Sequence, residues 1–581
     1  MPPVQTDACS GVSMIGGELA DWSDLQGRQP FPAAVDVMDT LVRARARHAR
    51  VLLLGPAAAR LLDHLPTGLV VHALVRGLPD ARTVARSDPT GQAIVHCGGV
   101  DRFDPDEAFD LVVALDAPRG LLTPDSPACD LDRLLRRAAS WVSAEGALVV
   151  GVRNRLGLDA LQSAADPDHE TPLWQRGFDD GARSMRDLGP AFAQAPLHRV
   201  VTYAAFGARG RESVLLDVSW LGDGTIGPLA ALLARRAAEG VAGRDPERTG
   251  RLAELVTGAF DAGQAAELAP AWLVVARPEA SGGSDGGLPA VVAHETTGTP
   301  GLRAAAVVGR EDGCWTRRLR PLGDGRVQGQ LGRDLDAPGD LPSSGRTVEL
   351  AVSDALDTVD LDEVRTRLQQ YAGWVRAARQ EPTRSESALL LATPDNLVVA
   401  ARGLELVDTS WRWPEQVDPD VAVAHGIQLL ATRFVARRRS APDGLRATPD
   451  GLTARLWAMV GLTPGPSTLR EIDRMTRELD LTASDTGPCL PGVPGPPGEL
   501  ATRTAQVAWL EQRLRTRERE LRSLRRRLQT GPRGAAFRVA HALHRRAAGR
   551  RRVVRGWAER HLPPAVWDGL VTVRSSVRRR R

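Results

Sequence analysis

Five apolar runs organise the chain: VLLLG (51–55), LVVHALVR (69–76), AIVHCGG (93–99), FDLVVALDA (109–117) and ALVVGVRN (147–154). None alternates strictly between apolar and polar positions. Each is bounded by Gly, Pro, Asp or Arg, as strands buried on both faces are. Helix-like segments, 57–64 and 131–142, lie between them. Strand and helix alternating in this way predict an α/β fold, a Rossmann-like parallel sheet wrapped by helices, over residues 46–276. Two further runs, HRVVTYAAF (198–206) and ESVLLDVSW (212–220), are separated only by 207–211, the spacing of a terminal antiparallel hairpin. Residues 228–267 read as helical and 271–276 as one more strand. Residues 1–45 read as an irregular lead-in ending in a helix over 33–47.

Beyond the sheet the pattern changes. PEASGGSDGG (278–287) has the composition of a flexible loop or linker. It predicts a second, α+β region over 288–440, with short strands at 304–308 and 315–319 and helices at 360–379 and 420–437. A helical extension follows at 441–483, and SDTGPCLPGVPGPPGE (484–499) is a Pro/Gly linker. In 500–530, Leu500, Val507, Leu514, Leu521 and Leu528 fall seven apart, with Leu510 and Leu524 between them. That spacing predicts a coiled coil and hence a homo-oligomer; an amphipathic helix packed on the body is the other reading.

Charge separates the tail from the body. All 75 basic residues are Arg, so lysine chemistry is excluded: there is no phosphate-binding P-loop lysine and no Schiff base. Residues 501–581 hold 23 Arg against five acids, so a strongly basic tail follows an acidic body. In 531–581 the arginines stand beside Phe537, Trp557, Leu562 and Trp567, a mixture suited to an anionic membrane surface. A solvated tail is the bland alternative. Nucleic acid is disfavoured because no binding motif accompanies the charge. The five cysteines lack paired spacing, and no run is long enough to cross a bilayer. The expected location is cytoplasmic, peripheral on the inner face of the plasma membrane.

The five runs followed by a hairpin resemble the sheet of class I SAM-dependent methyltransferases. NRLGLDALQSAADPDH (154–169) and GARSMRDLGPAF (181–192) are similar to segments that follow the fifth strand in methyltransferases of bacterial surface-polysaccharide clusters. The Arg183-Ser184-Met185 element departs from their Arg-Thr-Phe-Ser pattern. The resemblance covers roughly 50–275. It implies S-adenosylmethionine as cofactor and a glycan or lipid-linked sugar as acceptor. The cofactor-binding candidates are then Gly55, after the first strand, Asp101, after the third, and Asp116, at the end of the fourth. The second strand ends in Arg76, where an acid would hold the ribose hydroxyls. A base is needed for the acceptor proton; His96 and His169 are the candidates, and each reads more readily as structural.

TPDNLVV and LELVDTSW, within 393–411, are similar to the catalytic segment of aminoglycoside-phosphotransferase-like kinases. The resemblance implies Asn396 and Asp408 as metal ligands, if that site is retained. The base position holds Leu391, so a pseudokinase that does not use Mg-ATP is expected. Methyltransferase, kinase-like region, coil and basic tail together resemble chain-terminating methyltransferase-kinases. Two functions stand: a methyltransferase acting on a sugar or phosphate group, and a catalytically silent scaffold that recruits glycosyltransferases.

Overall fold

The computed structural model describes residues 5–7, 11–24, 32–44, 48–88, 93–117, 120–127, 131–162, 181–182, 184–208, 211–224, 226–242, 246–278, 287–295, 303–311, 314–322, 332–335, 345–378, 392–400, 403–408, 410–412, 417–437 and 449–483. His169, Leu391, the linker, the coil and the tail lie outside them. All described residues belong to one compact unit, Met1–Gly495.

A single mixed sheet dominates. Its strands are β1 (Gln5–Asp7), β2 (Val12–Gly16), β3 (Arg50–Leu54), β4 (Val70–Val75), β5 (Ile94–Gly98), β6 (Phe109–Ala117), β7 (Val142–Asn154), β8 (Gly181–Ala182), β9 (Leu197–Ala208), β10 (Arg211–Asp217), β11 (Ala271–Pro278), β12 (Val291–His294), β13 (Ala304–Glu311) and β14 (Cys314–Pro321). The order across it is β1-β2-β5-β4-β3-β6-β7-β11-β9-β10-β12-β13-β14, with β8 beside β7. From β2 to β7 every neighbour is parallel. From β7 outward every pair on that path is antiparallel.

Burial explains the unalternating runs. In β3, Val51 and Leu53 enter one core while Leu52 and Leu54 enter another on the opposite face. β6 divides the same way, with Leu111, Val113 and Leu115 on one side and Phe109, Val112 and Ala114 on the other. Each fully buried Leu or Val contributes about 1.5–3 kcal/mol, so these strands are held from both faces.

Two expectations about the sheet are corrected. The hairpin forms, β9 with β10, but it does not end the sheet. The strand reversed against the fifth parallel strand is β11, which inserts between β7 and β9. The chain beyond 288 does not open a new sheet either: β12 pairs with β10, so β12–β14 extend the first one. A Gly/Ser-rich stretch marks a loop, but it does not say whether the next strand returns to the same sheet edge. The remainder of 345–475 has a core of its own and meets the first sheet through Val398 and Val407. A small sheet, Arg346–Thr347, Leu397–Ala400 and Gly403–Leu406, sits with helices Val348–Asp357, Leu361–Ala378, Pro419–Arg437 and Pro449–Met459 around their own core.

Candidate functional site

In an open parallel sheet, ligands bind outside the carboxyl ends of the strands where the strand order reverses. Here the order runs from β3 to β4 and β5 on one side and to β6 and β7 on the other, so the crevice opens between β3 and β6.

Gly55 stands at that point. Its φ of +86° is the left-handed conformation that a glycine adopts without strain, and it turns β3 directly into the helix Gly55–Ala59. A Cβ at Gly55 would lie 2.9 Å from Leu121 Cδ2, so the loop after β6 is packed down on the exit of β3. Leu121 and Leu122 are both buried there.

Asp101 lies in a 3-10 turn just after β5. It is 23% exposed, and one of its oxygens accepts a hydrogen bond from Ser126 Oγ at 2.5 Å. Asp116 is part of β6, one residue before its end, and its side chain lies outside the described residues. Gly55, Asp101 and β6's end therefore lie along one edge of the sheet.

The end of β4 is different. Arg76 is buried, and all three guanidinium nitrogens donate within the protein. Nε and Nη2 donate to the two oxygens of Asp24 at 2.6 and 2.7 Å, while Nη1 donates to the Leu122 carbonyl at 2.6 Å. The ion pair is almost dry, with side-chain exposures of 2% and 5%. Asp24 comes from the lead-in, which is ordered over 12–24 rather than irregular. After β2, the Leu19 N–H donates to the Arg76 carbonyl at 2.8 Å, and the Leu78 N–H donates back to Leu19 at 3.0 Å. The Asp24 N–H donates to Asp80 at 2.7 Å, and Ser23 Oγ donates to the same carboxylate. The sequence shows an acid missing at this strand end. It does not show which group fills the place, because the partner is 52 positions away; Asp24 beside Trp22 is the only local signal.

His96 lies within β5, two residues before its end, and stacks on His72 with ring centroids 5.4 Å apart. Phe103 meets it edge-on. Burial, then the neighbouring His72, lowers its pKa to about 4, so it is neutral at physiological pH. Burial and the Arg50 charge lower His72 to about 4 as well. Asn154, at the end of β7, donates to the Glu267 and Ala269 carbonyls at 2.6 and 2.8 Å and accepts from the Leu156 N–H. It ties the exit of the fifth parallel strand to the start of β11. Ser184 and Asp187 form a reciprocal cap on the helix Met185–Gln194.

In the second region, Asn396 and Asp408 come together through the backbone. The Asn396 side chain donates to the Asp408 carbonyl at 3.1 Å and accepts from its N–H at 3.0 Å. The Asp408 carboxylate caps Ser410 at 2.6 Å and lies 3.9 Å from Arg317 of β14. Among the described residues, no group of three or more His, Cys, Asp or Glu side chains could hold a metal ion.

Beside Asn396 lies a charge cluster that the sequence did not suggest. Arg433 bridges Asp395 at 2.8 Å and Glu349 at 3.4 Å. Arg235 reaches Glu349 at 3.1 Å, and Arg236 reaches Asp395 at 3.3 Å. Burial raises the Asp395 pKa, but the charges of Arg433 and Arg236 outweigh this and hold it well below the usual carboxylate range. His425 is 1% exposed, and neither ring nitrogen has a hydrogen-bond partner among the described residues. Burial and Arg433 lower its pKa to about 4.

The strand order, with a reversed strand between the fifth and sixth members of an otherwise parallel set, is a methyltransferase-like fold. No family model matches the chain, and no curated protein matches it in sequence. Methyltransferases are among the solved structures similar to parts of it. A TehB-like SAM-dependent methyltransferase from Corynebacterium glutamicum is 14% identical over 30% of this chain and 77% of its own, with a TM-score of 0.21. A SAM-dependent methyltransferase from Thiobacillus denitrificans, in complex with S-adenosyl-L-homocysteine, is 17% identical over 44% and 94%, with a TM-score of 0.24. Geranyl diphosphate C-methyltransferase from Streptomyces coelicolor is 12% identical over 42% and 75%, also with a TM-score of 0.24. The fold assignment rests on the strand order rather than on these scores.

The sequence resemblance makes S-adenosylmethionine the expected cofactor of this fold. Tested against the residues present, Gly55 and Asp101 lie at the carboxyl ends of β3 and β5, where such a site is expected. The end of β4 does not fit: in the conformation described, the buried Arg76–Asp24 pair stands there.

Proposed function

We propose that the chain is a methyltransferase-like protein of cell-surface polysaccharide assembly, acting on a sugar hydroxyl or phosphate of a glycan or lipid-linked acceptor. The observation that supports this most is the insertion of β11 between β7 and β9, beside a β3 that ends in a left-handed glycine. The acidic body and the arginine-rich 501–581 segment support a peripheral position on an anionic inner membrane face, with 500–530 joining copies of the chain. Among the described residues no helix is long and apolar enough to cross a membrane. In this reading the part of 288–440 beyond β14 is a kinase-like module kept for structure, with Asn396 and Asp408 spent on backbone and Ser410.

The buried Arg76–Asp24 pair favours a second reading, a catalytically silent scaffold that recruits glycosyltransferases. Titration calorimetry on the full chain with S-adenosylmethionine, and separately with Mg-ATP, tests both. Heat with the first and none with the second is expected; no heat with either would leave only the scaffold. Flotation with phosphatidylserine-containing liposomes should be lost on deleting 531–581, and unchanged flotation would reject membrane docking.

A further inference from the structure

We infer that residues 12–24 are a plug in cis, competing with the adenosine of S-adenosylmethionine for the ends of β4 and β5, and that Asp24–Arg76 is its latch. This rests on the SAM-fold reading above and explains why the ribose end does not fit. β2 runs parallel to β5 and leaves the sheet on the same side, at Gly16 and Gly17, both with positive φ. The chain then crosses from β5 to β4, pairing Leu19 with Gly77, and ends with Asp24 on Arg76 and Asp80. The fit is close. A Cβ on Gly77 would lie 2.3 Å from the Trp22 carbonyl oxygen, and the Trp22 ring lies 5.9 Å from the Arg76 guanidinium.

An arginine at this strand end can also receive a phosphate on the ribose, as in NADP-binding sheets. Here Nε, Nη1 and Nη2 are all engaged within the protein, so the guanidinium presents no face to such a ligand. Nor is fold stability a sufficient reason for the pair. Apolar side chains of similar volume commonly replace a buried ion pair without loss of stability, whereas a matched pair can separate into two solvated charges when its segment leaves. The plug is therefore a closed state that adenosine must displace. Displacement is reciprocal: whatever weakens the latch tightens the ligand by the same factor.

The test uses S-adenosyl-L-homocysteine and the full chain. Its affinity is measured by calorimetry for the wild type, for Asp24→Asn, which weakens the latch, and for Arg76→Glu, which repels Asp24 and restores an acid at the strand end. Each variant is expected to bind about tenfold tighter or more, the worth of a charged hydrogen bond, with Arg76→Glu the tighter. Equal binding by all three would overturn the plug and leave the SAM reading standing. No binding by any folded form would overturn both. Hydrogen exchange on the wild type covers the case in which the variants do not fold. Adding the ligand should accelerate exchange at Leu19 and Leu78, whose amides hold the plug; bound ligand with unchanged protection there would sink the inference.

Discussion

The molecule holds two charge centres built on opposite principles. At the end of β4 the Arg76–Asp24 pair is almost fully buried. Between the helix Ile226–Ala242 and the helices of the second region, three arginines (Arg235, Arg236, Arg433) share two acids, Glu349 and Asp395, with an uncharged His425 alongside. The pair opens by separating, Asp24 leaving with its segment while Arg76 stays at the strand end. The cluster cannot lose Glu349 without taking from the buried Arg235 the carboxylate it pairs with. The first suits a contact that opens; the second suits a joint that stays shut.

The largest effect is expected at the joint. Glu349→Ala should cost about 3–5 kcal/mol, read from the denaturant midpoint, because it removes the carboxylate with which the buried Arg235 pairs. A cost below about 1 kcal/mol would erase the distinction between the two centres. Asp24→Ala should cost less, about 2 kcal/mol, since Arg76 regains water when its segment lifts. Replacing both partners, Asp24→Leu with Arg76→Met, should come close to neutral in the same assay; a loss as large as the single variant's would mean that the pair is a structural joint after all.

Acid sharpens the comparison further. His425 has its pKa lowered to about 4, below the ordinary 6.5, so between these values the unfolded chain takes up a proton that the folded one refuses. Stability contributed by the neutral ring is whole above pH 6.5 and is lost as pH falls towards 4. At pH 5.5 the loss from this residue should be on the order of 1 kcal/mol, and His425→Leu should flatten that part of the pH profile. An unchanged slope would mean that His425 is not buried uncharged. Asp395 acts only lower down: its depressed pKa supplies stability above the unfolded carboxylate's value that disappears as pH falls below it. The smallest effect, about 1 kcal/mol, is expected for Gly55→Ala, from the left-handed backbone and the Leu121 contact. Adding Leu121→Ala should recover only the steric part.

The sheet was legible because burial on both faces writes itself into consecutive residues: β3 to β7 fall almost where the apolar runs place them, as does β11. What could not be read were pairings over long separations. The lead-in carries few apolar residues, and its order comes from hydrogen bonds to Arg76, Gly77 and Leu78 rather than from its own pattern. Likewise, Asp395 and Asn396 are adjacent in a segment read for metal ligands, yet one is locked to arginines and the other to the backbone of Asp408. Side-chain type suggested chemistry at these positions, and three-dimensional neighbours decided their roles.

The helix Ala34–Arg43 carries one further consequence. Its buried Asp36 accepts hydrogen bonds from Arg320 at 2.7 and 2.9 Å, and from His294. These partners lie 284 and 258 residues later in the chain. At synthesis rates of about 5–20 residues per second, the helix waits roughly 15–60 s for its own counter-charges. During that interval its apolar face, Val37, Met38 and Leu41, has no finished sheet to cover it. Until Arg320 and His294 emerge, Asp36 must be kept from pairing with anything else.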